Sequence, residues 1–323
     1  MRLSYLLRSG KNPKWLYYLE NYSYYYLPKG LARRRMQRLL AGLSMRPDYG
    51  YICQRLDYYN AMPHGPLPAE ASLLSLHKPE RQKVYFFDSY RYSSLFPQSL
   101  RWCFLPGDIT HVPTAPSIVK SRPLAMDNRN SILMKLDKVR HFTFVEDLKP
   151  WREKKDMAIF RGKVLDKSCR LRFMQLYYGH PMVDAADVGR HAYPQWQGQK
   201  RSIAEHLDYK FVLALEGNDV ASNLKWIMSS QCLALMPPPT CETWFMEGTL
   251  KPGVHYVPLR PDLSDLEEQM HYYIEHPEEA ETIISNANRY VSQFLDEERE
   301  ELISYLVLER YFERSGQLPA PQR

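Results

Sequence analysis

The hydrophobic pattern changes rhythm along the chain. Residues 1–60 repeat apolar and aromatic positions at helical spacing and read as mainly helical. Two short runs, 84–87 (Val-Tyr-Phe-Phe) and 102–104 (Trp-Cys-Phe), have strand character. Between about 105 and 125, Pro, Gly and Thr crowd the chain and predict a long ordered loop, a kind of segment that often carries function. The polar stretch 148–156, with Pro150, reads as an interdomain linker.

Beyond it strand and helix alternate. Residues 157–160 read as a strand ending at Arg161 and Gly162, and the apolar runs 182–183, 210–215, 232–236 and 254–259 predict further strands. Helices are expected near 167–178, 200–207 and 220–230, and Pro237, Pro238 and Pro239 stop the 232–236 strand. This alternation predicts an α/β fold with a parallel sheet covered on both faces. Ser264 and Glu267 have capping-box spacing and predict a helix whose inner face is Leu266, Met270, Tyr273 and Ile274. Pro277 opens a second helix with the stripe Ala280, Ile283, Ile284, Ala287 and Val291. A third, about 296–313, aligns Leu302, Ile303, Leu306 and Tyr311.

A length of 323 residues exceeds one usual domain, so two are expected, and 44% hydrophobic with 25% charged residues is a globular composition. Five scattered cysteines without a Cys-x-x-Cys argue against a disulfide framework and a Cys-rich zinc site, and favour a reducing compartment. No run of about 18 apolar residues and no signal-peptide apolar region occur, so a cytoplasmic protein is expected. The net charge of +6 hides an asymmetry: residues 1–50 hold ten Lys/Arg and two acids, whereas 261–309 hold fourteen acids and two Arg. The basic end, with Arg33, Arg34 and Arg35 among many tyrosines, suits an anionic lipid, glycan or nucleic acid, and equally a solvated helix face.

Candidate chemistry centres on 210–226. An apolar strand runs into a polar turn at Glu216 and Gly217, and a helix begins just after, the layout by which α/β domains hold phosphorylated ligands. Arg161, Lys210 and Lys225 would add charge-assisted hydrogen bonds, and Ser222 and Asn223 would donate to phosphate or ribose. Each residue singly is also an ordinary turn or surface residue. The loop 106–113 offers Asp108 and His111, with Lys120 and Arg122 following. Dinucleotide, P-loop and nucleophile-elbow fingerprints are absent. No Asp-x-Asp stands at a strand end, so no metal site and no cofactor is expected.

Residues 157–312 resemble glycosyltransferase family 90, which holds bacterial lipopolysaccharide-core transferases and eukaryotic protein O-glucosyl- and O-xylosyltransferases. The likeness rests on Ile-Phe-Arg-Gly (159–162), Arg170, Met-Val-Asp-Ala (182–185), His206-Leu-Asp-Tyr-Lys210, Glu216-Gly217, Ala221-Ser-Asn-Leu-Lys225, Leu250-Lys-Pro-Gly-Val-His-Tyr-Val-Pro258 and Asp262-Leu-Ser-Asp-Leu266. Upstream, Gly107-Asp-Ile followed by Pro113 resembles the family's Asp-Ile-x-x-Pro loop.

The resemblance implies a GT-B-like architecture, two Rossmann-type domains around a cleft. Residues 1–150 would bind the acceptor, 151–295 the UDP-sugar, and the helix at about 296–323 would rejoin the first domain. It implies inverting, metal-independent transfer with Asp108 as base. The implied donor set is Arg161, Gly162, Arg170, Lys210, Glu216, Gly217, Ala221, Ser222, Asn223, Lys225 and Glu242, with His111, Lys120 and Arg122 toward acceptor or phosphate. One departure stands out: the family often has Arg where this chain has Asn223. The expected substrates are a UDP-hexose, glucose or galactose, and a lipopolysaccharide core at the inner leaflet, where the enzyme would be peripheral. Capsule glycan or protein are alternative acceptors. Nucleic-acid binding is the remote alternative, since no nucleic-acid motif accompanies the basic patch.

Overall fold

In a computed structural model of the chain, residues 13–79 and 83–321 are described. The basic residues Arg2, Arg8 and Lys11 of the N-terminal cluster lie outside the described residues. The chain forms two compact units: Arg140–Thr240 with Met246–Gln293, and Pro13–Val139 with Cys241–Phe245 and the chain from Phe294 onward.

The first unit is built on a five-stranded parallel sheet. Its spatial order is Val257–Pro258, Leu233–Met236, Tyr209–Leu213, Lys155–Gly162, Val183–Asp187. The first strand in the chain thus lies between the second and the third, and the crossovers leave it in opposite directions. That arrangement makes a topological switch point between Lys155–Gly162 and Tyr209–Leu213, where α/β sheets open a crevice at their carboxyl ends. All five residues of Tyr209–Leu213 are buried, as expected of a central parallel strand. Ser168–Tyr177 packs on the outer strand, Leu266–Glu275 on Lys155–Gly162, and Pro277–Ser292 on Leu233–Met236. The stripe Ala280, Ile283, Ile284, Ala287 and Val291 is buried as its spacing predicts.

Two sequence expectations in this unit are corrected. Residues 148–156 are no linker: Trp151 is buried in the core and its Nε1 donates to the Lys210 carbonyl at 3.3 Å, while the Lys154 ammonium is buried on Asp147 at 2.8 Å. The unit boundary falls at Val139 and Arg140 instead. The capping box at 264–267 does not form, because the Ser264 hydroxyl donates to Asp262 at 2.9 Å and the helix starts one residue later behind Asp265. A capping box does close Ile203–His206, through Ser202 and Glu205.

The second unit is mainly helical, with Lys14–Tyr26, Gly30–Ala41, Tyr49–Tyr59, Lys83–Ser93 and Glu297–Arg314. Its parallel sheet has three short strands, Phe104–Leu105, Ser117–Val119 and Ser131–Leu133 in that order. Ser121–Pro123 pairs antiparallel with Cys241–Thr243. The segment 105–125 is therefore part loop, part sheet. Residues 84–87 are helical, not extended: Tyr85, Phe86, Phe87, Asp88 and Ser89 are all buried, so the helix has no polar face to reveal its period. The last helix packs on Gly30–Ala41, Tyr49–Tyr59 and Lys83–Ser93. Its Glu300 carboxylate is buried among Arg55, Lys135 at 3.0 Å and the Trp244 indole N–H at 2.6 Å. That charge is compensated by two cations, the condition under which a buried carboxylate is tolerated.

Candidate active site

At the carboxyl edge of the parallel sheet, three side chains tie neighbouring loops together. Arg170, on Ser168–Tyr177, reaches across the switch point. Its Nε and Nη2 donate to the Leu215 carbonyl at 3.2 and 2.8 Å, and Nη1 donates to the Lys163 carbonyl at 3.0 Å. One guanidinium thereby holds the loops that follow both central strands. Burial pulls its pKa below the ordinary value, but an arginine stays charged at neutral pH. Glu216 bridges the next gap, accepting from Thr240 N at 2.9 Å and Thr240 Oγ1 at 2.6 Å. Asp187, fully buried, accepts from the backbone N–H of Val164, Gly189 and Tyr193 at 3.3, 2.9 and 3.1 Å.

The result is a rim of fixed loops with cations on it. Lys163 is exposed, and Lys167 donates to Asn218 of the facing turn. Gly217 lies under Arg170: a Cβ there would sit 3.1 Å from Nη2. Gly162 is as confined, since a Cβ would meet Phe160 Cζ at 2.7 Å. The edge therefore combines exposed or half-buried cations, preset backbone and two positions closed to side chains, a surface suited to oxyanions.

The other expected donor residues separate into groups. Asn223 Nδ2 donates to the Leu213 carbonyl at 2.9 Å, so it braces the strand end of the same edge, and Ala221 and Ser222 lie in that turn. Arg161 is turned back along the sheet, its Nη2 on Asp184 at 2.5 Å and its Nε on the Gln199 carbonyl at 3.0 Å. Burial raises the Asp184 carboxyl, but the Tyr209 hydroxyl and Arg161 outweigh it and hold it below its ordinary value. Lys210 is not brought to this edge: it stands at the amino end of its strand, paired with Asp156 and lying 4.4 Å over the Trp151 ring. Lys225 is completely buried and its ammonium sits 2.5 Å from the buried Glu247 carboxylate. Glu242 belongs to the helical unit, where it takes Arg122 Nε at 2.7 Å and the Tyr58 hydroxyl.

The helical unit contains the loop that carries Asp108. Gly107 has φ +111°, a conformation that an L side chain rarely adopts, and it swings the chain so that Asp108 meets Lys120. Lys120 Nζ is 2.5 Å from Asp108 Oδ1, and the Tyr85 hydroxyl donates to the same oxygen at 3.3 Å. The buried Ser121 hydroxyl clamps the next residue, accepting from Ile109 N and donating to Ile109 O, both at 3.0 Å. Asp108 remains partly exposed while Lys120 is buried, so the carboxylate is the accessible member of the pair. Arg122 is buried between Glu242, the Ser131 carbonyl and the Tyr58 carbonyl, and His111 is exposed.

Asp187, Thr240, Ser121 and Glu247 were not anticipated. Asp187 carried a readable signal, an Asp two residues before Gly189, which favours an Asx-type turn. The others act through partners distant in sequence and carry none. No group of three or more His, Cys, Asp or Glu able to hold a metal occurs among the described residues, and none of the described helices is long and apolar enough to cross a membrane.

The fold is mixed α/β, with a rim of cations at the switch point of the sheet unit and an accessible carboxylate on a preset loop of the helical unit. Comparison with known proteins makes the class specific. The family model for glycosyl transferase family 90 matches residues 135–313. The chain is 42% identical over 263 residues to the O-glucosyltransferase LpsA of Dichelobacter nodosus, covering 81% of this chain and 82% of that protein. It is 28% identical over 178 residues to protein O-glucosyltransferase 3 of Homo sapiens, covering 52% of this chain and 34% of that protein. The chain belongs to glycosyl transferase family 90 and is a glycosyltransferase.

Proposed function

We propose that the enzyme transfers a hexose, glucose in the first instance, from a UDP-sugar to a hydroxyl of the lipopolysaccharide inner core. The observation that carries this reading is the similarity, over four-fifths of both chains, to a bacterial protein described as O-glucosyltransferase LpsA. In this reading the two units act together as a GT-B transferase: the sheet unit takes the donor and the helical unit presents the acceptor. Asp108 takes the proton of the acceptor hydroxyl as that oxygen attacks the anomeric carbon. UDP leaves from the opposite face, so configuration inverts. Charge developing on the diphosphate is met by Lys163, Lys167 and Arg170 and by the rim backbone, which Arg170 holds in place before the reaction. No metal is invoked, in keeping with the missing Asp-x-Asp.

The test is transfer itself. Purified enzyme with UDP-glucose and UDP-galactose, offered core oligosaccharide truncated at the heptose region, should yield a product one hexose heavier by mass spectrometry. NMR should show the inverted anomer. Neither binding nor turnover of any UDP-hexose, together with unchanged core mass in a deletion strain, would reject the proposal. A protein acceptor is the second reading, favoured by the likeness to protein O-glucosyltransferase 3, and glycosylated peptides in the same assay would select it.

The rim yields a sharper expectation. Gly217→Ala should push the Arg170 guanidinium off the Leu215 carbonyl, because its Cβ would come within 3.1 Å of Nη2. UDP affinity measured by calorimetry should fall by about ten-fold, equivalent to one lost charge-assisted contact. Unchanged affinity would separate the rim from donor binding.

A further inference from the structure

The helix Lys14–Tyr26 is inverted relative to an ordinary surface helix. Its inner face is made of tyrosines. Tyr17 donates to Asp88 at 2.8 Å, Tyr24 donates to the Arg91 carbonyl at 3.0 Å, and Tyr22 and Tyr25 pack edge-on against Phe87 and Phe86. Its outer face should then be polar, yet it presents Trp15, Leu16, Leu19 and Tyr26, which helical spacing places along one stripe. Leu27 and Leu31 continue the ridge into the following turn and helix, and both are more than half exposed. Of seventeen exposed large apolar side chains among the described residues, six fall between positions 15 and 31, so this is a patch and not the usual scatter.

We infer that this ridge is a membrane-docking face, inserted shallowly into an anionic lipid surface. The charge around it selects that occupant. Lys14 precedes Trp15 in the chain, Arg34 and Arg38 follow Leu31 at helical spacing, all three are exposed, and the one acid of the helix, Glu20, is paired with Arg91 at 2.8 Å. Tryptophan, tyrosine and leucine flanked by cations is the composition of a helix lying in the headgroup region. A second copy of the chain is a poorer occupant. A two-fold interface sets the same patch against itself, which would bring the cations of both copies, Lys14, Arg34 and Arg38, into one interface with no matching acids from the ridge. The inference also relocates the docking surface expected from sequence: most of the N-terminal tyrosines face the protein interior, and leucines with Trp15 and Tyr26 face outward. It goes beyond the transfer reading and does not depend on it.

The test uses the full chain with no sugar donor or acceptor present, so its failure and that of the transfer reading are distinguishable. Sedimentation with phosphatidylcholine vesicles containing about a third phosphatidylglycerol should capture the protein, with pure phosphatidylcholine far weaker and added salt releasing it. Leu19→Ser with Tyr26→Ser should weaken capture by about ten-fold or more. Arg34→Ser with Arg38→Ser should weaken capture by anionic vesicles alone. Because all four positions are exposed, the melting temperature should stay within about two degrees. Absence of vesicle binding, or equal binding by the Leu19/Tyr26 variant, would overturn the inference. So would a concentration-dependent dimer that the Leu19/Tyr26 variant abolishes, which would assign the ridge to a second copy.

Discussion

Lys225→Ala is expected to destabilise the sheet unit by about 3–5 kcal/mol, the range for removing one partner of a buried ion pair. The Lys225 ammonium and the Glu247 carboxylate are both almost completely buried and lie 2.5 Å apart. Removing the cation takes from a buried carboxylate its Lys225 partner and favours protonation or local opening. Glu247 is held by its own backbone: Met246 has φ +56°, a left-handed conformation that turns the chain inward just before it. The double variant Lys225→Met with Glu247→Leu should recover most of the loss, because an apolar pair of similar volume needs no desolvation. Urea unfolding followed by Trp fluorescence, with hydrogen exchange over residues 209–236 to localise the effect, would measure both. Preserved stability in Lys225→Ala together with a collapse in UDP affinity would return this lysine to the donor site.

That expectation shows where the sequence stops being legible. The alternation of apolar runs and turn signals located every strand of the five-stranded sheet, because each has a buried apolar part closed by Gly, Pro or a polar turn. It also placed the stripe of Pro277–Ser292, since one face of that helix meets a core, and the apolar positions of the last helix, although 302–308 there are buried on every side. Alternation does not say which end of a strand a polar residue occupies relative to a ligand. Lys210 lies six positions upstream of Glu216 and reads as part of the same run, yet it belongs to the amino end with Asp156. Nor does it reveal pairings across long separations. Lys225 and Arg122 look like phosphate-facing charges until the fold brings each to its buried partner, Glu247 and Glu242. The helix at Lys83–Ser93 was unreadable for a third reason, burial on nearly all sides, which erases period.

The rim itself was half visible. Glu216, Gly217 and the turn after them were evident as a polar interruption between an apolar strand and a helix. The rigidity of the rim was not, because it comes from Arg170, Glu216 and Asp187 acting on main-chain groups of other loops. Backbone partners leave no mark in a sequence. The same holds for the Asp108 loop, which is set by Gly107, visible as a glycine, and by Ser121, visible as nothing in particular.

Asp108→Asn is expected to lower the transfer rate by about 10²–10⁴-fold, the usual contribution of a positioned general base, with donor affinity preserved. The substitution keeps the shape of the side chain and the hydrogen bond from Tyr85, and removes only the capacity to take a proton at neutral pH. The surroundings favour this test. Ser121 fixes Ile109 through both main-chain groups, so the loop should keep its path, and Gly107 is untouched. Lys120 loses its anionic partner and, being buried, should cost the variant some stability, so folding has to be read separately. UDP binding and the melting curve supply that reading, because the rim proposed to hold the donor lies in the other unit. A fall in kcat with unchanged donor KM and intact UDP affinity is the signature of a lost proton acceptor, since only an interaction made in the transition state is removed. Proportional loss of UDP affinity would mean that the Asp108–Lys120 pair is structural, and normal turnover would remove Asp108 from the mechanism and require another base for the acceptor hydroxyl.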